Sequence, residues 1–281
     1  MSSEDEIRGR IEDALERALA EVPVGDRLRR AMEHALLGGG KRIRPLLCVE
    51  ACRCVGAPIQ RAIRAGVAIE MVHAFSLVHD DLPAMDDDDL RRGLPTVHVA
   101  FDEATAILAG DALLNAASRV LCGSGEDPDT IRLISELSEA TARMIEGQML
   151  DIAGDARTIE DVRRIHELKT GALMRCACRM GAICGGADEG IVERLGSFGL
   201  HLGLLFQATD DLIDAEQAME TAGKATGKDA ALGRPTLVGL LGVEGSRQEV
   251  VRLVGVCRGL LDGLDGERLL VLCERIATRT R

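Results

Sequence analysis

Aromatic side chains are nearly absent: the 281 residues include no Trp, no Tyr and only four Phe. A core built without them must come from Leu, Ile, Val, Ala, Met and Cys, a set that suits helices and disfavours a β-sandwich. Positive charge is also short. Lys and Arg number 34 against 46 Asp and Glu, a formal net charge of −12. That balance opposes general affinity for nucleic-acid phosphates or anionic bilayers, so any anionic ligand must be held locally. No CxxC occurs among the nine cysteines. The closest pairs, Cys52/Cys54 and Cys176/Cys178, face different ways on a helix, so the thiols read as small apolar fillers in a reducing compartment rather than as zinc ligands. The start, MSSEDEIRGR, lacks the basic-then-apolar order of a secretory leader. Apolar stretches read as interrupted short of the about 18 residues a membrane span needs. A cytoplasmic chain without stable membrane insertion is therefore expected.

What is present is 46% hydrophobic residues, enough to pack one large core. Periodicity predicts helices over 4–21 and 26–37, ended by Pro23 and by Gly38-Gly39-Gly40. Further helices are expected from Pro45 to Val55 and over 59–81. The last carries one apolar stripe of Ile59, Ile63, Val67, Met71, Ala74 and Val78 and a second of Ala62, Ala65, Ile69 and Val72, so it should be central. A long polar loop is expected over 82–98, then helices over 101–122, 128–153, 158–185 and 188–216. A Gly/Lys-rich loop at 217–228 precedes shorter helices over 229–242, 246–263 and 266–279. No repeat or linker interrupts the pattern, and a single all-α domain over 1–281 is the simplest account.

Two aspartate clusters stand out, DDLPAMD at 80–86 and DDLID at 210–214. Asp80 and Asp81 fall in the last turn of the central helix, where the macrodipole disfavours carboxylates by roughly 0.3–1 kcal/mol each. Asp86 to Asp89 add more like charge nearby, a density that asks for a cation. Asp210 and Asp214 share a helical face, and Asp211 lies between them. Oxygen-only donors favour Mg²⁺, with Mn²⁺ a possibility, bound jointly by carboxylates and phosphates. An EF-hand is excluded because neither cluster has the alternating acids, central Gly and terminal Glu of a calcium loop. A ferritin-like di-metal centre needs two Glu-x-x-His motifs, and Glu70-x-x-His73 stands alone. His73 instead lies within about 20° of Asp80 around the helix.

Cations gather at glycines despite the acidic balance: Gly39-Gly40-Lys41-Arg42-Ile43-Arg44, Arg91-Arg92-Gly93, Lys169-Thr170-Gly171 and Gly223-Lys224 to Gly227-Lys228. Arg forks and Lys points suit phosphate oxygens, and glycine admits close backbone approach. None has the spacing of a nucleotide loop.

These segments together, GGGKRIRPLL, EMVHAFSLVHDDLPAMDDDDLRRGLPTVH, GDALL, KTGAL, FQATDDLIDAEQ, GKATGKD and GRPTLVGLLG, resemble the short-chain trans-prenyl diphosphate synthases over about 40–250, bacterial farnesyl diphosphate synthases above all. The resemblance implies an all-α fold of roughly ten helices around a deep cavity, usually as a homodimer. It implies a condensation of isopentenyl diphosphate with an allylic diphosphate, dimethylallyl or geranyl. Asp80 and Asp86, with Asp81 in support, would bind Mg²⁺ on the allylic diphosphate. Asp210, with Asp211 and Asp214 close by, would hold a third Mg²⁺. Lys41, Arg44, His73 and Arg92 would form the isopentenyl diphosphate site. Arg91, Lys169 and Lys224 would meet the allylic diphosphate, while Thr170 and Gln207 would face the developing cation; Gly40 and Lys228 would also bind substrate. Positions five and four before the first aspartate, Phe75 and Ser76, would set product length. The aromatic at 75 matches farnesyl-type enzymes, a C15 product, with C20 and C10 as alternatives. A terpene cyclase would need an Asn/Ser/Glu triad where DDLID stands. A non-catalytic subunit would commonly have lost the acids or bases that this chain keeps.

Overall fold

The computed structural model describes residues 3–123, 129–220 and 236–279. Helices α1 (Ser3–Ala20), α2 (Asp26–Leu37) and α3 (Ile43–Cys54) lead into α4 (Gln60–Asp80). A hairpin of β1 (Leu90–Arg91) and β2 (Leu94–Pro95) and the short α5 (Val97–Ala100) follow. Then come α6 (Glu103–Cys122), α7 (Thr130–Ala153), α8 (Ile159–His166), a π-helical turn (Glu167–Gly171), α9 (Ala172–Gly185), α10 (Glu189–Glu220), α11 (Leu237–Leu260) and α12 (Glu267–Ala277). The expected all-α class is observed.

The doubly apolar α4 is central as its two stripes require. It packs against α1, α2, α3, α6, α7 and α9, and Ala68, Ile69, Met71 and Val72 are fully or almost fully buried. Helix α10 lies across α9, α11 and the π turn, with Phe198, Leu202 and Leu205 fully buried. The apolar cluster runs from Ile7 in α1 to Ile276 in α12. Eight of the nine cysteines are buried and all are free thiols.

Helix ends follow local chemistry. Asp102 caps α6 by accepting from the Thr105 amide at 2.6 Å, and Thr158 and Asp161 form a reciprocal capping box on α8. Helix α3 starts two residues before the expected Pro45. Arg42 precedes it in the left-handed region, φ 47°, held by Glu12 at 2.7 Å and Glu70 at 3.0 Å. Pro45 then sits in the first turn, where its missing N–H costs nothing.

Three departures from the sequence reading have physical causes. The loop over 82–98 contains the hairpin, because Arg92 and Gly93 both take positive φ, 54° and 80°, as a two-residue type I′ turn demands. The helix expected over 158–185 runs on without a gap but carries a π-helical turn at Glu167–Gly171, between α8 and α9. The boundary expected between helices over 229–242 and 246–263 is observed, because Gly242 leaves the helical region (φ 71°, ψ 168°) and divides α11 into two helical segments; residues before 236 lie outside the description. Finally, α4 and α6 each contain a window long and apolar enough to cross a membrane, contrary to the expectation of interrupted stretches. In α4 that window is 67% buried within the fold, so its apolarity serves packing.

Candidate active site

The C-terminal end of α4 brings the first aspartate cluster to the mouth of a cavity of about 640 Å³. Its walls come from α4 (His73, Phe75, Ser76, Asp80), α7 (Met144, Gln148, Met149), the π turn (Lys169, Thr170) and α10 (Phe206, Gln207). Past α4 the chain doubles back. The Asp86 amide donates to the Asp80 carbonyl at 2.8 Å and the Asp88 amide to that of Asp81 at 3.2 Å, which returns Asp86 toward Asp80. Burial, then Asp86 and Asp81, push the Asp80 carboxyl up to about 7 against the pull of Lys169 and Arg91. Asp81 is buried and raised by the same desolvation, although Arg91 Nε donates to it at 2.7 Å.

The type I′ turn divides its two arginines. Arg91 turns to Asp81 and to Asp88, whereas Arg92 donates to the Gly39 carbonyl in the glycine-rich loop. Arg44, His73, Arg91 and Arg92 all reach the cavity. Burial is the largest effect on Arg44, lowering it to about 10 with Arg92 adding to the fall. It also takes His73 well below the usual range, helped by Arg44 and Arg92, so this imidazole is neutral at pH 7. Lys41 is exposed and is not among the residues lining the cavity.

On the far wall the π turn swings Lys169 and Thr170 inward. Thr170 donates to Gln207 Oε1 at 2.8 Å, and Lys169 pairs with Asp151 at 2.6 Å. The turn is approached closely from both sides. A Cβ at Gly147 of α7 would lie 2.3 Å from the Lys169 nitrogen, and one at Gly203 of α10 2.6 Å from the Gly171 Cα.

The second cluster lies further along α10. Asp210 is half-buried and paired with Arg279 at 2.6 Å. Burial raises it, while Arg279 acts in the opposite sense. Arg279 also donates to the Phe206 carbonyl at 2.7 Å and lies 3.8 Å over the Phe206 ring. Asp214 is exposed one turn on. Asp211 turns inward, accepting from the Leu237 amide at 2.7 Å and tying α10 to the start of α11. Lys224 and Lys228 lie outside the described residues. Glu70, half of the isolated Glu-x-x-His, is committed to Arg42 in a buried ion pair.

Known proteins resemble this chain in both sequence and fold. The polyprenyl synthetase family profile covers residues 25–256. The chain belongs to that family. It is 39% identical over 281 residues to geranylgeranyl pyrophosphate synthase 4 of Arabidopsis thaliana, covering 95% of this chain and 76% of the relative. It is 38% identical over 279 residues to the farnesyl diphosphate synthase of Geobacillus stearothermophilus, 96% of this chain and 94% of that one. The crystal structure of an FPP/GFPP synthase from Zymomonas mobilis superposes with a TM-score of 0.82 at 37% identity, over 98% and 97% of the two chains. This polyprenyl synthetase is thus a trans-prenyltransferase of the all-α isoprenoid type.

Members of the family use a divalent metal, and the donor set here fits one. Among the described residues no three His, Cys, Asp or Glu side chains converge to cage an ion unaided. Asp80 and Asp86, returned toward each other by the bond from the Asp86 amide, offer carboxylates of the kind Mg²⁺ shares with substrate phosphates. Burial first, and then the neighbouring carboxylates of Asp86 and Asp81, raise the Asp80 carboxyl, and a hard cation would favour its charged form.

Sequence reading missed three groups. Asp151 and Gln148, three apart on α7, show no acidic clustering to betray them, and only the crossing of α7 with the π turn brings Asp151 to Lys169. Both polar atoms of the buried Gln148 lack a protein partner beside the cavity. Arg279, late in the chain, belongs to no motif that would single it out.

Proposed function

We propose that this polyprenyl synthetase condenses isopentenyl diphosphate with dimethylallyl or geranyl diphosphate and releases mainly the C15 farnesyl diphosphate. Phe75 carries the length reading. It lines the cavity five residues before Asp80 and is 7% exposed, an apolar stop below the aspartates. Ser76 also lines the cavity but donates to the His73 carbonyl at 2.9 Å, leaving the larger ring as the obstacle.

Asp80 and Asp86 on one wall, with Asp210 and Asp214 on the other, would hold Mg²⁺, three ions in all. When bound these would supply Lewis-acid polarisation of the diphosphate oxygens. Lys169, Arg91 and Lys224 would take the charge that develops on the diphosphate as the allylic C–O bond breaks. Lys41, Arg44 and Arg92, with the neutral His73 beside them, would anchor isopentenyl diphosphate with its double bond facing the allylic carbon. That double bond supplies the electron pair for the new C–C bond, and the proton then lost passes to the released diphosphate. Thr170 and Gln207 are fixed by their mutual hydrogen bond and would place oxygen lone pairs beside the transient cation. Met144 and Phe206 would help to keep water from it.

A homodimer of single-domain chains in the cytoplasm belongs to the same reading. The eight buried free thiols fit a reducing compartment. Incubating the purified enzyme with these substrates and analysing the dephosphorylated alcohols tests it, a dominant C15 alcohol being expected. A dominant C20 or C10 alcohol would overturn the length assignment. EDTA should abolish turnover and added Mg²⁺ restore it; full activity under chelation would sink the metal assignment.

A further inference from the structure

The geometry points to His79 as a positioning residue for product length: wedged against α6 at Gly110, it holds the Phe75 ring in place as the cavity floor. This inference rests on the reading of Phe75 as that floor. His79 follows Phe75 by four residues on α4, so their side chains share a face. The two rings meet edge to face, centroids 5.0 Å apart at 79°, a preferred aromatic arrangement. The other edge of the imidazole is fixed: Nε2 lies 3.0 Å from the Ile107 carbonyl oxygen of α6. A carbonyl only accepts, so Nε2 carries the proton and donates.

The fit depends on a missing side chain. A Cβ at Gly110 would lie 2.1 Å from His79 Nε2 and 2.4 Å from its Cδ2, so any larger residue there expels the ring. Helix α6 gives up helix propensity at this position by carrying glycine in its interior. The carbonyl of Ile107 and the gap at Gly110 together form a seat for one imidazole.

What lies beyond explains why the seat matters. A second groove of about 600 Å³ runs along α6 and α7, lined by Val72, Asp111, Leu114, Ile134 and Ile145. Ile145 lines both spaces, and Val72 is one turn before Phe75. Phe75 and His79 both line the cavity, on the helix whose Val72 lines the groove. With His79 seated, Phe75 has a fixed neighbour and the growing chain stops. With His79 expelled, Phe75 gains rotamers and the groove can accept another isoprene unit.

The experiment compares product distributions for the wild-type enzyme, His79→Ala, Gly110→Ala, Phe75→Ala and the pair His79→Ala/Gly110→Ala. Each is supplied with geranyl diphosphate and excess isopentenyl diphosphate, and a melting curve checks that it folds. Each single variant is expected to raise the ratio of the next longer product to the wild-type product about tenfold, the scale on which apolar pockets discriminate added carbons. Adding Gly110→Ala to His79→Ala should change nothing further, since the ring it displaces is gone. Gly110→Ala lies away from the aspartates and should leave the rate of the first condensation unaltered. Wild-type distributions from folded Gly110→Ala or folded His79→Ala would overturn the inference, and either variant suffices if the other fails to fold. A wild-type enzyme that itself makes C20 would overturn the C15 reading alone, while lengthening by the variants would still uphold the wedge.

Discussion

At the residue scale, charge is legible in sequence only where its partners are close in the chain. Asp80, Asp81 and Asp86 form a string, and their mutual repulsion can be read without coordinates. Lys169 and Asp151 are 18 residues apart, with a helix end and a helix start between them, and nothing in their local context links them. Yet the 2.6 Å pair fixes where the Lys169 ammonium points. Asp151→Asn should therefore lower kcat/KM for the allylic diphosphate about tenfold with the fold intact, a loss of ~1.4 kcal/mol of transition-state stabilisation, read by steady-state kinetics and a melting curve. Arg279 acts in the opposite sense, because its guanidinium holds the Asp210 oxygen that a metal would need. Arg279→Ala should tighten binding of Mg²⁺ with inorganic pyrophosphate, measured by titration calorimetry. Unchanged affinity would show that the arginine is no competitor.

At the scale of elements, the helices were readable from their periodicity, since apolar stripes and Gly or Pro stops act locally. The π turn was not, because a single inserted residue leaves the hydrophobic pattern on both sides nearly intact. Its stability rests on close approach, so Gly147→Ala should overpack α7 against the Lys169 backbone and cost about 1–3 kcal/mol in urea unfolding. His166, the last residue of α8, is buried with Nδ1 unpartnered. Burial lowers it from 6.5 to about 4, with Lys169 adding to the fall and Asp151 opposing it. Above pH 6.5 both folded and unfolded forms are neutral and the contribution is complete. On acidification from 6.5 toward 4 the unfolded chain takes the proton first, so stability drops by about 3 kcal/mol across that window. His166→Gln should flatten this part of the pH profile of unfolding.

At the scale of the whole molecule, a chain of net charge −12 turns a cationic rim inward and leaves apolar side chains of α6 and α7 facing out. Ile107, Leu108, Ile145 and Met149 are all 45% exposed or more. Such a surface favours self-association, and light scattering should give the mass of two chains, as the proposed homodimer requires. The class of fold followed from composition and stripes. The floor of the cavity did not, because Phe75 alone is legible and its support from α6 depends on how two helices cross. The π turn has one more consequence. Removing any one residue from Glu167–Gly171 would let α8 run directly into α9 as ordinary α-helix, both keeping their buried faces. Lys169 and Thr170 would no longer be presented together. A folded but catalytically silent sibling of this enzyme is therefore a single codon deletion away.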